Sequence, residues 1–109
     1  HQYVFLGDGH MLSLTLWPQS EGRFETRRPG LHHLSFQVDT IEQVREAERH
    51  LRALNVRFHY EGIVSQADEL EKTAVYFEDP DGIRLEIYSP TGVEKGPAPV
   101  PGAPSCGFF

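Results

Sequence analysis

Cysteine is nearly absent from this sequence. Its single thiol, Cys106, has no second cysteine in the chain to pair with, so nothing points to an oxidising compartment. The tail around Cys106 lacks the electropositive setting that makes a thiol reactive, and the residue reads as incidental. Long hydrophobic runs are missing as well. No stretch approaches the roughly 18 apolar residues of a membrane-spanning helix, and no charged-then-apolar leader is visible. The expectation is a cytoplasmic chain with no membrane partner. Basic charge is also scarce: ten Lys and Arg stand against sixteen Asp and Glu, for a net charge of -6. The basic residues form no stripe that could follow a phosphate backbone, which excludes nucleic acid as an expected partner.

What is present fits one domain: 109 residues, 39% hydrophobic and 24% charged. The sequence opens at His1 directly on a strand-like run, Gln2 to Leu6, which predicts native residues upstream. Residues 2 to 6 and 11 to 17 read as two strands around Gly7-Asp8-Gly9, a cluster that tolerates the positive φ of a tight hairpin. Residues 19 to 30 are polar, without a buried period, and form a connector. From Leu31 to Val38 the chain alternates, with Leu34, Phe36 and Val38 on one strand face and His33, Ser35 and Gln37 on the other. His32 falls on the apolar side by the same parity and reads as a packed or edge histidine. Thr40 and Gln43 have the spacing of a capping box, and Ile41, Val44, Ala47, Leu51 and Leu54 follow at helical intervals up to Asn55, a plausible helix stop.

Beyond the helix, residues 56 to 64 alternate around Val56, Phe58 and Tyr60 as one strand. Ser65 to Lys72 reads as a loop, and Ala74 to Phe77 as the next strand. Asp79-Pro80-Asp81-Gly82 is strong turn chemistry. A last strand alternates Arg84, Glu86 and Tyr88 with Leu85 and Ile87 before Pro90 ends it. The order is strand, helix, strand, strand, strand. The tail from Thr91 to Gly107 carries four prolines and four glycines with little to bury, so residues 91 to 109 are expected to be extended. The terminal pair Phe108 and Phe109 either docks in a groove of this or a neighbouring chain, or frays.

His33 and Glu86 lie on the polar faces of two strands that share one helix on their other faces, so both side chains face a common space. An imidazole and a carboxylate there suit Zn, Mn, Fe(II), Ni or Co, with a third protein ligand needed to complete such a site. The bland readings stand beside this one: a hydrogen-bonded strand histidine and a solvated strand glutamate. His10, His50 and His59 fit a turn, the helix surface and a strand position. Gln37, Tyr76, Arg84 and Tyr88 are candidate pocket residues by strand parity, each with a purely structural alternative.

The runs PGLHHLSFQVDTIEQV (Pro29 to Val44) and YFEDPDGIRLEIYSP (Tyr76 to Pro90) resemble the vicinal oxygen chelate superfamily, which includes glyoxalase I, extradiol dioxygenases, fosfomycin-resistance enzymes and bleomycin-binding proteins. The resemblance covers about residues 30 to 90 as one βαβββ module. It implies an α+β fold and a divalent-metal site in which the first-strand histidine and last-strand glutamate, here His33 and Glu86, are ligands. It also implies that two modules pair around the site. On that reading residues 1 to 18 are the closing hairpin of an incomplete first module, 19 to 30 the connector, 31 to 90 the complete module and 91 to 109 the tail. Ser13 or Thr15 stands where the first module's own glutamate would be. The third ligand is then expected from an upstream segment or from a second copy in a homodimer.

Three functions follow as expectations. One is a metal-dependent dioxygenase or glyoxalase-like lyase or isomerase acting on a small molecule with vicinal oxygens. Another is a metal-free protein that binds and sequesters a small molecule or drug. The third is a regulatory module attached to a larger chain.

Overall fold

The Thr40 hydroxyl accepts a hydrogen bond from the Gln43 amide, and the Gln43 side chain accepts from the backbone N–H groups of Asp39 and Thr40, at 2.8 and 3.0 Å. Together these bonds satisfy amides that the first helical turn leaves without partners, so α1, Ile41–Ala53, starts where the capping box predicts. The computed structural model describes residues 4–7, 9–11, 13–17, 19–66, 72–90 and 109. The helix stops at Asn55, whose φ of 56° is left-handed. The Val56 amide bonds back to Leu51 O and the Asn55 amide to Arg52 O, which is the paired C-terminal closure that an αL residue permits. Leu51 and Val56 both pack against the buried cluster of Val44, Val75 and Phe77.

Seven strands accompany the helix: β1 Val4–Gly7, β2 Ser13–Leu16, β3 Leu34–Gln37, β4 Arg57–Phe58, β5 Val64–Gln66, β6 Lys72–Glu78 and β7 Arg84–Ser89. β1 and β2 pair antiparallel as the expected hairpin, and they form their own two-stranded sheet. The five-stranded sheet runs β3-β7-β6-β4, with β5 also on β6. β3 lies parallel to β7, and the other pairings are antiparallel. A parallel pair needs a crossover, and α1 with the strands after it provides one.

One sheet face packs on α1 through Val44, Val75 and Phe77, with Val38, Leu51, Phe58, Leu85 and Ile87 around them. The opposite face carries a second cluster, Ala74 and Tyr76 with Tyr60, Val64, Tyr88 and Phe109. Among the described residues no helix is long and apolar enough to cross a membrane.

The strand expected over 56 to 64 is instead two short pieces on one partner. Phe58 faces Phe77 and Val64 faces Ala74, so residues 59 to 63 lie opposite only 75 and 76. The surplus breaks the alternation. Val56 and Phe58 stay on the helix side, while Tyr60 crosses to the other face. The loop expected over Ser65 to Lys72 is narrower, because Ser65↔Thr73 and Gln66↔Lys72 extend the β5–β6 ladder; positions 67 to 71 lie outside the described residues. The extended tail expected over 91 to 109 lies outside them too, except for Phe109.

The Asp79-Pro80-Asp81-Gly82 turn forms as predicted. Asp79 Oδ1 accepts from the amides of Asp81 and Ile83 at 2.8 and 2.9 Å, and Gly82 takes φ 88°. The connector before β3 is tied to this turn: the Phe24 amide bonds to Asp81 O at 2.7 Å, and Arg23 donates to Pro80 O at 3.1 Å.

Candidate functional site

The face away from α1 is assembled by register. β3 and β7 place Ser35 beside Glu86 and Gln37 beside Tyr88. β6 and β7 place Tyr76 beside Glu86 and Glu78 beside Arg84. Since alternate side chains share a face, Ser35, Gln37, Tyr76, Arg84, Glu86 and Tyr88 form one surface, the face on which strand parity puts all six. His33 stands one residue before β3, and its ring meets Phe109 at 5.3 Å between centroids.

Glu86 is the chemical centre of this surface. Its relative exposure is 0%, and its Oε1 accepts a hydrogen bond from the Ser35 hydroxyl. Burying an ionised carboxylate without compensation costs several kcal/mol, of order 5, so hydrogen bonds or a cation belong wherever this group is charged. Tyr76 beside it is 1% exposed. Gln37 Oε1 accepts from the Tyr88 hydroxyl at 3.0 Å.

An aromatic enclosure adjoins these polar groups. The Phe109 ring packs against His33 at 5.3 Å, His59 at 5.4 Å and Tyr76 at 5.1 Å, with the Arg84 guanidinium carbon 5.6 Å from its centroid. Tyr60 stands edge-on to both Tyr76 and His59. Ring pairs at such separations add about 0.5–1.5 kcal/mol each beyond the area they bury. Burial pushes the Tyr60 phenol above its usual pKa.

Of the two places expected for His32, packed or edge, the structure shows the edge one. It is exposed, with Nδ1 2.8 Å from His33 Nδ1. β3 begins only at Leu34, so strand parity does not govern residue 32. His10 and His50 are exposed, as a turn and a helix surface require.

Four contributors carried no assigned role in the sequence reading. Ser35 alternates between His33 and Gln37, and its place on the polar face was visible, but its bond to Glu86 depends on a partner 51 residues away. His59 and Tyr60 are adjacent yet reach the same cluster, which alternation forbids and the surplus residues opposite β6 allow. Phe109 was visible as part of a terminal aromatic pair with the option of docking.

The donor types at His33 and Glu86 suit a divalent ion, but their number falls short. Among the described residues no group of three or more His, Cys, Asp or Glu is arranged to hold a metal. A separate hollow of about 630 Å³ opens between the hairpin and the β3 edge, lined by Leu6, Leu14, Phe36, Val38 and Leu85 among others. Among the described residues its lining has no ionisable side chain, and its polar side chains are the Ser35 hydroxyl and the Gln37 amide.

Comparison with known structures finds this fold repeatedly. A glyoxylase/bleomycin resistance protein/dioxygenase domain from Frankia sp. EAN1pec is similar with a TM-score of 0.60 at 27% identity, over 72% of this chain and 60% of that one. A lactoylglutathione lyase from Agrobacterium tumefaciens is similar with a TM-score of 0.56 at 25% identity, over 81% of this chain and 68% of that one. A glyoxalase family protein from Enterococcus faecalis gives 0.50 at 28% identity, over 71% and 57%. The chain therefore spans less than two thirds of the length of the Frankia and Enterococcus proteins. The family profile of the glyoxalases matches residues 1–87. With that much of its length matched, the chain belongs to the Glyoxalase/Bleomycin resistance protein/Dioxygenase superfamily.

Proposed function

We propose that the chain is a metal-dependent enzyme of the glyoxalase or extradiol dioxygenase type, acting on a small molecule with vicinal oxygens, with His33 and Glu86 as two ligands of one divalent ion. The observation that carries this reading is the fully buried carboxylate of Glu86 on the polar sheet face. A divalent cation is the countercharge that best offsets such burial. A neutral imidazole at His33 is the matching donor for Fe(II), Mn, Zn, Ni or Co. The remaining donor, in this reading, comes from beyond the described residues, either from a preceding module or from a second copy in a homodimer.

When bound, the metal supplies Lewis-acid polarisation of two adjacent substrate oxygens. The chain's own residues do the rest. The Ser35 hydroxyl fixes one Glu86 oxygen and so the orientation of the carboxylate. Tyr76 walls the site and excludes water. The Arg84 guanidinium offers positive charge to a substrate oxygen that becomes more negative, and the Gln37–Tyr88 pair orients a polar substituent.

The test is elemental analysis of the whole protein purified without chelator, followed by assays with catechols and with the methylglyoxal–glutathione adduct. One divalent ion per site is expected, and His33→Ala and Glu86→Gln should each remove most of it while the fold persists by circular dichroism. Metal-free protein, or metal content indifferent to both substitutions, would sink the proposal. It would leave the second reading, a metal-free small-molecule binder of the same fold, which the aromatic enclosure around Phe109 favours.

A further inference from the structure

We infer that the Glu86 face contains a site for one flat aromatic ring, built by His33, His59, Tyr76 and Arg84, and that the chain fills this site with its own Phe109 until a free ring displaces it. Four separate segments converge on that single side chain: the residue before β3, the residue after β4, the middle of β6 and the start of β7. Their chemistry is selective. Tyr76 meets the Phe109 ring at an interplanar angle of 80°, and His33 and His59 lie tilted at 41° and 48°. These are the edge-to-face and inclined arrangements that a ring quadrupole favours over parallel stacking. The Arg84 cation lies within the roughly 6 Å over which a π face attracts charge. An aliphatic group of the same size would bury similar area there and forgo both electrostatic terms.

The occupant is tethered. Phe109 follows Ser89, the end of β7, by twenty positions, and a covalent link of about that length sets the effective concentration of the ring at roughly the millimolar range. A free ring that binds the site at or below that range competes with it. The ring site shares His33, Tyr76 and Arg84 with the proposed enzyme, but its occupation by Phe109 goes beyond that reading and requires neither a metal nor a reaction.

The experiment titrates the whole chain, freed of metal with EDTA, with phenol and with cyclohexanol, following the imidazole proton resonances of His33 and His59. The comparison chain is Phe108→Ala/Phe109→Ala, in which the adjacent ring cannot take over. A tethered ring whose dissociation constant is about fourfold below its roughly millimolar effective concentration weakens a competitor about fivefold, so phenol should bind the doubly substituted chain about fivefold more tightly than the unsubstituted one. It should shift both histidines, and cyclohexanol should bind distinctly more weakly. If the double variant does not fold, Phe108→Leu/Phe109→Leu keeps apolar side chains without a ring at either position and should show a gain in the same direction. Equal phenol affinity in substituted and unsubstituted chains, no discrimination against cyclohexanol, or binding that leaves His33 and His59 unmoved would each overturn the inference. Since no metal is present, failure here leaves the proposed metal site standing, and a metal-free native protein leaves this site standing.

Discussion

Gly82 holds φ 88°, and a Cβ built on it would lie 2.9 Å from Arg23 Nη2. The backbone conformation costs an L-residue about 1–2 kcal/mol. The Arg23 side chain is 62% exposed and can swing aside, so strain rather than collision should dominate. Gly82→Ala is therefore expected to lower unfolding free energy by about 1–2 kcal/mol in urea denaturation, and a change below a few tenths would refute that account. Single residues also show what the sequence made legible. Gln37, Tyr76, Arg84, Glu86 and Tyr88 were readable because each lies inside a regular strand, where parity alone decides the face. For His32 the packed alternative falls away and the edge one stands, because strand geometry starts two residues later. Phe109 could be recognised as a ring but not located, since no local pattern links position 109 to strands tens of residues away.

At the level of elements, α1 was the most legible part of the chain, because both ends are written in local chemistry. Thr40 and Gln43 start it, and Asn55 stops it in the left-handed region. Thr40→Ala should cost about 1 kcal/mol by removing the hydroxyl acceptor at the helix start. Thr40→Ser should recover most of that loss in the same thermal denaturation series, and equal losses for both substitutions would show that the hydroxyl is not what matters. The stretch after the helix was harder. Alternation of Val56, Phe58 and Tyr60 reads as one strand, yet the five residues facing two on β6 depend on pairing across the sheet, which spacing within the segment does not encode. That irregularity is also what brings His59 and Tyr60 to the same cluster. The connector was read as polar chain without a buried period, and its attachments were not legible: one half-buried phenylalanine, Phe24, and one arginine, Arg23, fasten it to the β6–β7 turn.

Across the whole molecule, the functional face depends on the one pairing that joins the two ends of the βαβββ unit. β6 and β7 are joined by a tight turn, but β3 reaches β7 only after α1, β4, β5 and β6 are in place along the chain. Closing a loop of 51 residues between Ser35 and Glu86 has to be offset by contacts that form only once it is closed. Among the described residues β3 lies at the sheet edge, held by β7 alone, while β6 is flanked on both sides. Backbone amides of β3 should therefore lose hydrogen-exchange protection at a lower opening free energy than those of β6. Uniform protection across both strands would contradict this. The parallel β3–β7 junction thus makes the site a reporter of completed folding. A chain with its β6–β7 hairpin intact but β3 detached would keep most of its secondary structure, yet Glu86 would have lost the hydroxyl that orients it. In a destabilised variant, ligand recognition should therefore fade before the circular dichroism signal does.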